Sequence, residues 1–353
     1  MRRLARKIFY ALLHYSGLNR YWRFRHRNHL TVLFIHGVKP DTGFDSPEPG
    51  RWQLSDAQLD KQLAYLVQRY EFVTPDEALL VLEGKKHTEK PAALFTIDDG
   101  YKSAYELAFP VLQRYNVPGI VFMATGRLED NLPYWWDRLD YALLNTDASV
   151  ASLRLADRDL PVEMQTRQQR ADSARRVTRM SRSLFSEEPK RLAALQALIE
   201  EYERADLMPA LKQWCGVMDA DDLRAAQADG LMIGSHTVNH YRLGSLTAEL
   251  RRHELDASKA HLESLLNTPI DYLCFPEGSA SQKAAKAAQD SGYKAAFVAA
   301  YGLNAPGANR YLLKRVHLPA AASNAELAVL CSGLSHAISL FRTNLFKGSS
   351  EPA

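Results

Sequence analysis

Cysteine is scarce in this chain: Cys215, Cys274 and Cys331 are the only three, and none sits in a C-x-x-C pair. That excludes a disulfide framework and favours a reducing compartment. The N-terminus has no apolar stretch long enough to span a bilayer. Its run Ile8 to Leu13 is broken by His14 and lacks a small-residue cleavage site, so it reads poorly as a secretion signal. Internal repeats, low-complexity tracts and a Pro/Gly linker that would separate domains are also missing. Acids are absent from residues 1–30, which hold eight Arg or Lys. Against a formal net charge of +3, that leaves the rest of the chain at about −5, so the basic character is local. No second basic, aromatic-interleaved patch follows, which argues against nucleic acid as a partner.

Within residues 1–29, Leu4, Ile8, Leu12 and Tyr15 recur at helical spacing, while Arg3, Arg6, Lys7 and His14 fall elsewhere around the helix. This is the pattern of an amphipathic helix lying on an anionic membrane surface. The alternative is a solvated basic leader packed on its own domain.

With 353 residues, 46% of them hydrophobic and 24% charged, the chain can bury a full core. Runs at Thr31–Ile35, Ala92–Ile97, Gly119–Ala124, Leu231–Ile233, Tyr272–Phe275, Ala295–Ala299 and Arg315–Leu318 read as buried strands. Helical patterns lie between several of them, at 55–70, 103–115, 247–266, 281–291 and 324–334; Ser55 with Gln58 forms a capping-box signature for the first. Strand followed by helix, repeated, predicts an α/β fold with a parallel sheet or barrel. From about 127 to 230 the rhythm breaks: Trp135-Trp136-Asp137 opens a charged, helix-prone stretch that reads as an insertion. The expected organisation is a basic segment 1–29, one catalytic domain 30–345 interrupted by that insertion, and a frayed tail 346–353.

Polar residues gather where the strands end, at the edge where α/β folds place reactive groups. His36 follows the first run, Asp98 and Asp99 the second, His236 the fourth and Glu277 the fifth, while His317 sits inside the last. Asp98-Asp99-Gly100 alone is commonly a turn, and an H-x-x-x-H pair alone is commonly surface or core. Together, each after a buried strand, they form the ligand set of a catalytic divalent-metal site with one carboxylate to spare. Placed on one helical turn, His236 and His240 would lie about 6 Å apart and could both reach one ion at about 2.0–2.1 Å. One carboxylate would complete the set, and the other could accept a proton from water. Gly100 would let the chain turn so that both acids reach the pocket. Trp135 and Trp136 could stack on a sugar face or close a core under the insertion.

These residues resemble the polysaccharide deacetylases of the NodB-homology type, carbohydrate esterase family four. The family's T-F-D-D-G motif is similar to Thr96-Ile97-Asp98-Asp99-Gly100, with Ile for Phe, and its H-S/T-x-x-H motif matches His236-Thr237-Val238-Asn239-His240. Leu33-Phe34-Ile35-His36 looks like the family's first strand. Tyr272 through Gly278 resembles its third motif, with Glu277 between Pro276 and Gly278 where an aromatic residue is usual. The likeness covers about residues 30–130 and 220–320.

The resemblance implies a distorted (β/α)7 barrel in which Asp98 is the general base and Asp99, His236 and His240 hold a divalent metal, commonly Zn²⁺. The Arg that many members place ahead of the third motif is missing here; Arg315 is the candidate substitute as partner of the base, and His317 the nearest match to the general acid. His36, Pro276, Glu277, Gly278, Trp135 and Trp136 are the candidate substrate contacts. The expected activity is removal of an N-acetyl group from an amino sugar in a glycan or glycolipid. Alternatives are another acyl group such as formyl, or a silent glycan-binding module. The expected partners are an N-acetylated saccharide or lipid-linked glycan and, through the basic N-terminus, the inner face of the cell membrane, with the protein cytoplasmic.

Overall fold

A computed structural model describes residues 2–41, 54–130, 132–146 and 150–339. Seven parallel strands, β1 Thr31–Ile35, β2 Ala92–Ile97, β3 Gly119–Met123, β4 Met232–Ser235, β5 Tyr272–Cys274, β6 Ala295–Tyr301 and β7 Leu313–His317, follow one another in chain order around a closed ring. Closure is through β1, which pairs with β2 on one side and β7 on the other, so that Phe34 faces both Thr96 and His317. A two-residue strand, Glu71–Phe72, adds to the start of β2. The expected distorted (β/α)7 barrel is the fold observed, and all seven expected strands are present; β7 starts two residues earlier than its apolar run, at Leu313.

Both faces of these strands are buried, which is why they read as unbroken apolar runs rather than as an alternation. One parity, including Val32, Leu94, Ile120, Phe122, Cys274, Phe297 and Leu313, forms one apolar cluster, which we assign to the lumen. The other parity, including Leu33, Phe95, Val121, Leu273 and Val316, packs outward against Leu63, Leu112, Leu255 and Leu327 of the surrounding helices. The helix Asp56–Leu66 carries the expected cap: Ser55 accepts from the Gln58 backbone at 3.1 Å, and the Gln58 side chain accepts from the Ser55 backbone at 2.9 Å.

Between β3 and β4 the chain leaves the ring for the helices Trp135–Asn145, Arg167–Leu184, Glu188–Tyr202, Met208–Cys215 and Ala220–Ala228. A hairpin, Ser152–Leu155 with Arg158–Pro161, lies among them. This segment has an apolar cluster of its own around Leu139, Leu153, Val177, Leu195 and Ile199. At the other end of the chain, α1 (Arg2–Tyr15) and α2 (Leu18–Arg25) precede β1 and pack on the helix Asn324–Cys331. The expected frayed tail, 346–353, lies outside the described residues.

Lumen space is tight where β3 meets β4. Gly234 is paired in register with Phe122, and a Cβ there would meet two ring carbons at 2.6 Å. Gly234→Ala should therefore cost about 1–3 kcal/mol through displacement of the ring, read as a lower urea midpoint at unchanged m-value. An unchanged midpoint would mean that the ring moves freely.

Candidate active site

Strand parity delivers the polar groups to one end of the lumen. Leu94, Thr96 and Asp98 share one face of β2 and its extension, Leu313, Arg315 and His317 one face of β7, and Val32, Phe34 and His36 one face of β1. Asp99 would point outward if the strand continued. Instead Asp99 itself adopts φ 70° and Gly100 φ 64°, which swings the second carboxylate back over the rim. The turn expected from Gly100 alone thus takes two residues, one of them an Asp, a type that tolerates the left-handed region. The Tyr134 hydroxyl, donating to the Asp99 carbonyl at 2.5 Å, fastens this conformation to the insertion.

His236 and His240 do not share a helical turn, contrary to expectation. Residues 236–242 form a loop, with Thr237 at φ 69° and His240 at φ 55°. The cause is competition for the backbone groups a helix would need. Buried Glu254 accepts from the backbone N–H of Val238 at 3.0 Å and of Asn239 at 2.8 Å, and from the Asn239 side chain at 2.6 Å. Thr237 and Val238 meanwhile give their carbonyls to the N–H groups of Thr125 and Gly126.

The two imidazoles still converge. Their Nε2 atoms lie 3.3 Å (His236) and 3.4 Å (His240) from Asp99 Oδ1, and all three residues are buried. His236 Nδ1 lies 2.7 Å from the Cys274 carbonyl, which can only accept, so the proton is on Nδ1 and the Nε2 lone pair faces Asp99. Burial works against ionisation of Asp99, but the His236 and His240 contacts outweigh it and hold the carboxyl well below the usual range. Burial also opposes charge on His236, yet Cys274 and Asp99 raise its basicity well above the ordinary value. A proton or a cation can meet the Asp99 charge at this place, and two imidazoles with one carboxylate suit a divalent ion with an open position. Asp98, His236 and Cys274 also lie close together. That set suits an ion less well, because Arg315 occupies both Asp98 oxygens and burial keeps the Cys274 thiol protonated.

Asp98 and Arg315 form a bidentate pair, each amino nitrogen 2.7 Å from one carboxylate oxygen. Arg315 also donates to Thr96 Oγ1 at 3.1 Å and to the Val298 carbonyl at 3.2 Å, and its guanidinium lies 4.2 Å from the centroid of the Phe34 ring. Burial alone would raise the Asp98 pKa; Arg315 outweighs it and lowers the value, so Asp98 is an ionised acceptor at neutral pH.

A cavity of about 630 Å³ opens above these groups, lined by His36, Asp98, Asp99, Trp135, Trp136, His236, His240, Glu277, Gly278, Arg315 and His317. Pro276 is buried and is not among the lining residues. His36 and His317 face each other with ring centroids 6.1 Å apart. Burial first, then His36, brings the His317 pKa down to about 4, so this ring rests neutral. Trp136 stacks on Tyr134 at 4.4 Å and leans on His240 at 4.7 Å, which makes it a brace for the imidazole; Trp135 packs over Arg191 at 5.3 Å. Both rings line the cavity, while Trp135 also packs against the apolar cluster of the insertion and Trp136 against that of the barrel exterior. The Glu277 side chain receives Arg182 at 3.0 Å and Arg191 at 3.4 Å. Sequence reasoning missed Tyr134, Glu254 and the insertion's arginines; the adjacent tryptophans were the only signal for Tyr134.

The sequence model of the polysaccharide deacetylase family matches residues 85–296, and the chain belongs to that family. It is a hydrolase acting on amide bonds, and the deacetylases of its class are metalloenzymes. YxkH of Bacillus subtilis (strain 168), which carries the name of a polysaccharide deacetylase, is 20% identical over 290 residues, spanning 82% of this chain and 71% of that protein. Among solved structures, the Streptococcus pyogenes deacetylase PplD in complex with acetate superposes with a TM-score of 0.57 at 16% identity, over 86% of this chain and 98% of that one. IcaB from Ammonifex degensii gives 0.53 at 19% identity, over 86% and 97%. These likenesses to solved structures support the barrel.

Arg315→Met removes the guanidinium and leaves Asp98 buried, so the Asp98 pKa should rise. Because Asp98 accepts protons only when ionised, the acid limb of the kcat/KM profile should move to higher pH and turnover should fall. An unmoved acid limb would remove Arg315 from this role.

Proposed function

We propose that this protein is a metal-dependent N-deacetylase that hydrolyses the N-acetyl group of an amino sugar in a glycan or glycolipid. The observation that carries the reading is a free-standing division of labour: Asp98 is held ionised by Arg315 beside Asp99, which is aimed at two imidazoles. A divalent cation held by Asp99, His236 and His240, zinc in our reading, would polarise the amide carbonyl and acidify the attacking water. Asp98 takes the proton of that water as it adds to the carbonyl carbon, and Arg315 fixes both carboxylate oxygens during the transfer. The Glu277 backbone turns at φ 52° where the residue lines the cavity, which supports its N–H as donor to the developing oxyanion. When the carbon–nitrogen bond breaks, the amine needs a proton. His317 rests neutral, so it serves as donor only after receiving the proton collected in the first step. The products are acetate and a free amino sugar.

Wild type should release acetate from N-acetylglucosamine oligomers, and Asp98→Asn should lower kcat by about 10²–10⁴-fold, the usual contribution of a general base. Formate release from N-formyl analogues in place of acetate would redirect the acyl specificity. Equal turnover in Asp98→Asn would contradict the mechanism.

We further propose that α1 and α2 dock on an anionic bilayer, so that the enzyme works at the inner face of the cell membrane on a lipid-linked or nascent saccharide. Support comes from where apolar surface is exposed: Leu4 (64%), Ile8 (51%), Leu12 (67%) and Tyr15 (83%) form the face expected from the sequence, and Tyr21 and Phe24 extend it along α2. Arginines surround this face, each contributing about 1 kcal/mol near anionic lipid. No helix among the described residues is long and apolar enough to cross a membrane. Sedimentation with phosphatidylglycerol-containing vesicles should bring the protein down, neutral phosphatidylcholine vesicles should not, and Ile8→Glu with Leu12→Glu should abolish the difference. A concentration-dependent dimer lost in the double variant, with no vesicle binding, would assign the face to a second copy instead.

A further inference from the structure

The insertion helix Arg167–Leu184 turns Arg175, Thr178, Arg179 and Arg182 to the cavity, at the i, i+3, i+4, i+7 spacing of one helical face. An adjoining stripe, Ser173, Ala174, Val177 and Ser181, is buried, so the packing of the insertion fixes which side the arginines present. Arg175 is paired with Asp172. Arg182 shares Glu277 with Arg191 and, at 4.0 Å, with Arg242. Arg191 and Arg242 also share Glu188. Four guanidiniums thus meet three carboxylates, and a fifth, on exposed Arg179, has no ion-pair partner among the described residues. On the helix Glu188–Tyr202, fully buried Arg191 keeps Nη1 without a hydrogen-bond partner. A neutral saccharide offers these groups only uncharged acceptors, its hydroxyls and amide carbonyls. An anionic group offers charge-assisted, bidentate bonds to guanidinium forks that line the same cavity as Asp98 and Asp99.

We propose that this helix face binds an anionic group, phosphate or carboxylate, carried by the same saccharide whose N-acyl group enters between Asp98 and Asp99. The substrate is then an acidic glycan, and Arg179 is the residue that discriminates it from a neutral one. The position of the acyl group rests on the deacetylase reading; the anion site does not need turnover to be observed.

The test is calorimetric titration of the full-length protein with three probes: tri-N-acetylchitotriose, its reducing-end 1-phosphate, and the corresponding aldonic acid. At low salt, about 50 mM, wild type should bind at least one acidic probe about tenfold tighter than the neutral one. The better of the two acids identifies the source of the charge. Arg179→Ala should bring the ratio to about twofold or less, whereas Arg224→Ala, an exposed arginine paired with Asp221 elsewhere, should leave it as in wild type. Equal binding of all three probes by wild type, or an unchanged ratio in Arg179→Ala, overturns the proposal. If the acidic preference stands but no probe releases acetate, the anion site survives and the deacetylase reading fails, so the two are separable.

Discussion

A charge pair sealed in a barrel lumen must be fully satisfied, and the Asp98–Arg315 pair sets the terms for everything around it. Taking two ions out of water costs several kcal/mol each, offset only by complete hydrogen bonding in good geometry. Here Arg315 finds Asp98, Thr96 and the Val298 carbonyl, so β2, β6 and β7 are tied together at the height where the substrate cavity begins. Thr96 in turn donates to the Leu33 carbonyl at 2.9 Å, which brings β1 into the same network. Ring closure and the electrostatics of the site are therefore one arrangement: a slip of β7 by one residue would point Arg315 outward and strand Asp98 in an apolar lumen.

Support for the second carboxylate and the imidazoles comes from outside the ring. Glu254 holds the His236–His240 loop, Trp136 backs the His240 ring, and the Tyr134 hydroxyl holds the Asp99 backbone in its left-handed conformation. Tyr134 and Trp136 belong to the insertion, which is consequently part of the site. Through the Arg167–Leu184 helix the same segment supplies part of the cavity wall, so one excursion of the chain both braces Asp99 and His240 and lines the space above them.

The strands were legible because a closed parallel barrel buries both strand faces, which gives runs that no amphipathic helix would show. Asp98, Asp99 and His236 stood out as charged or titratable residues at the ends of those runs, and His317 as one inside the last. What escaped were contacts with no periodic signature. H-x-x-x-H suggests a helical turn, but the loop conformation depends on Glu254, a residue hidden inside an ordinary helical pattern. Arg175, Arg179 and Arg182 did not stand out from a stretch legible only as charged and helix-prone, because the packing of Ala174 and Val177 determines which way their helix faces. Glu277 stood out by its place in the third motif, yet its three arginine neighbours come from distant segments.

The proposed deacetylase mechanism requires that Asp99, His236 and His240 act together as one ligand set rather than as three buried polar residues. The most direct test is the metal content of the purified protein by mass spectrometry, wild type beside His236→Ala. The account predicts about one equivalent of zinc or a similar divalent ion in wild type, lost in the variant. No metal in wild type, or the same content in both proteins, would contradict it.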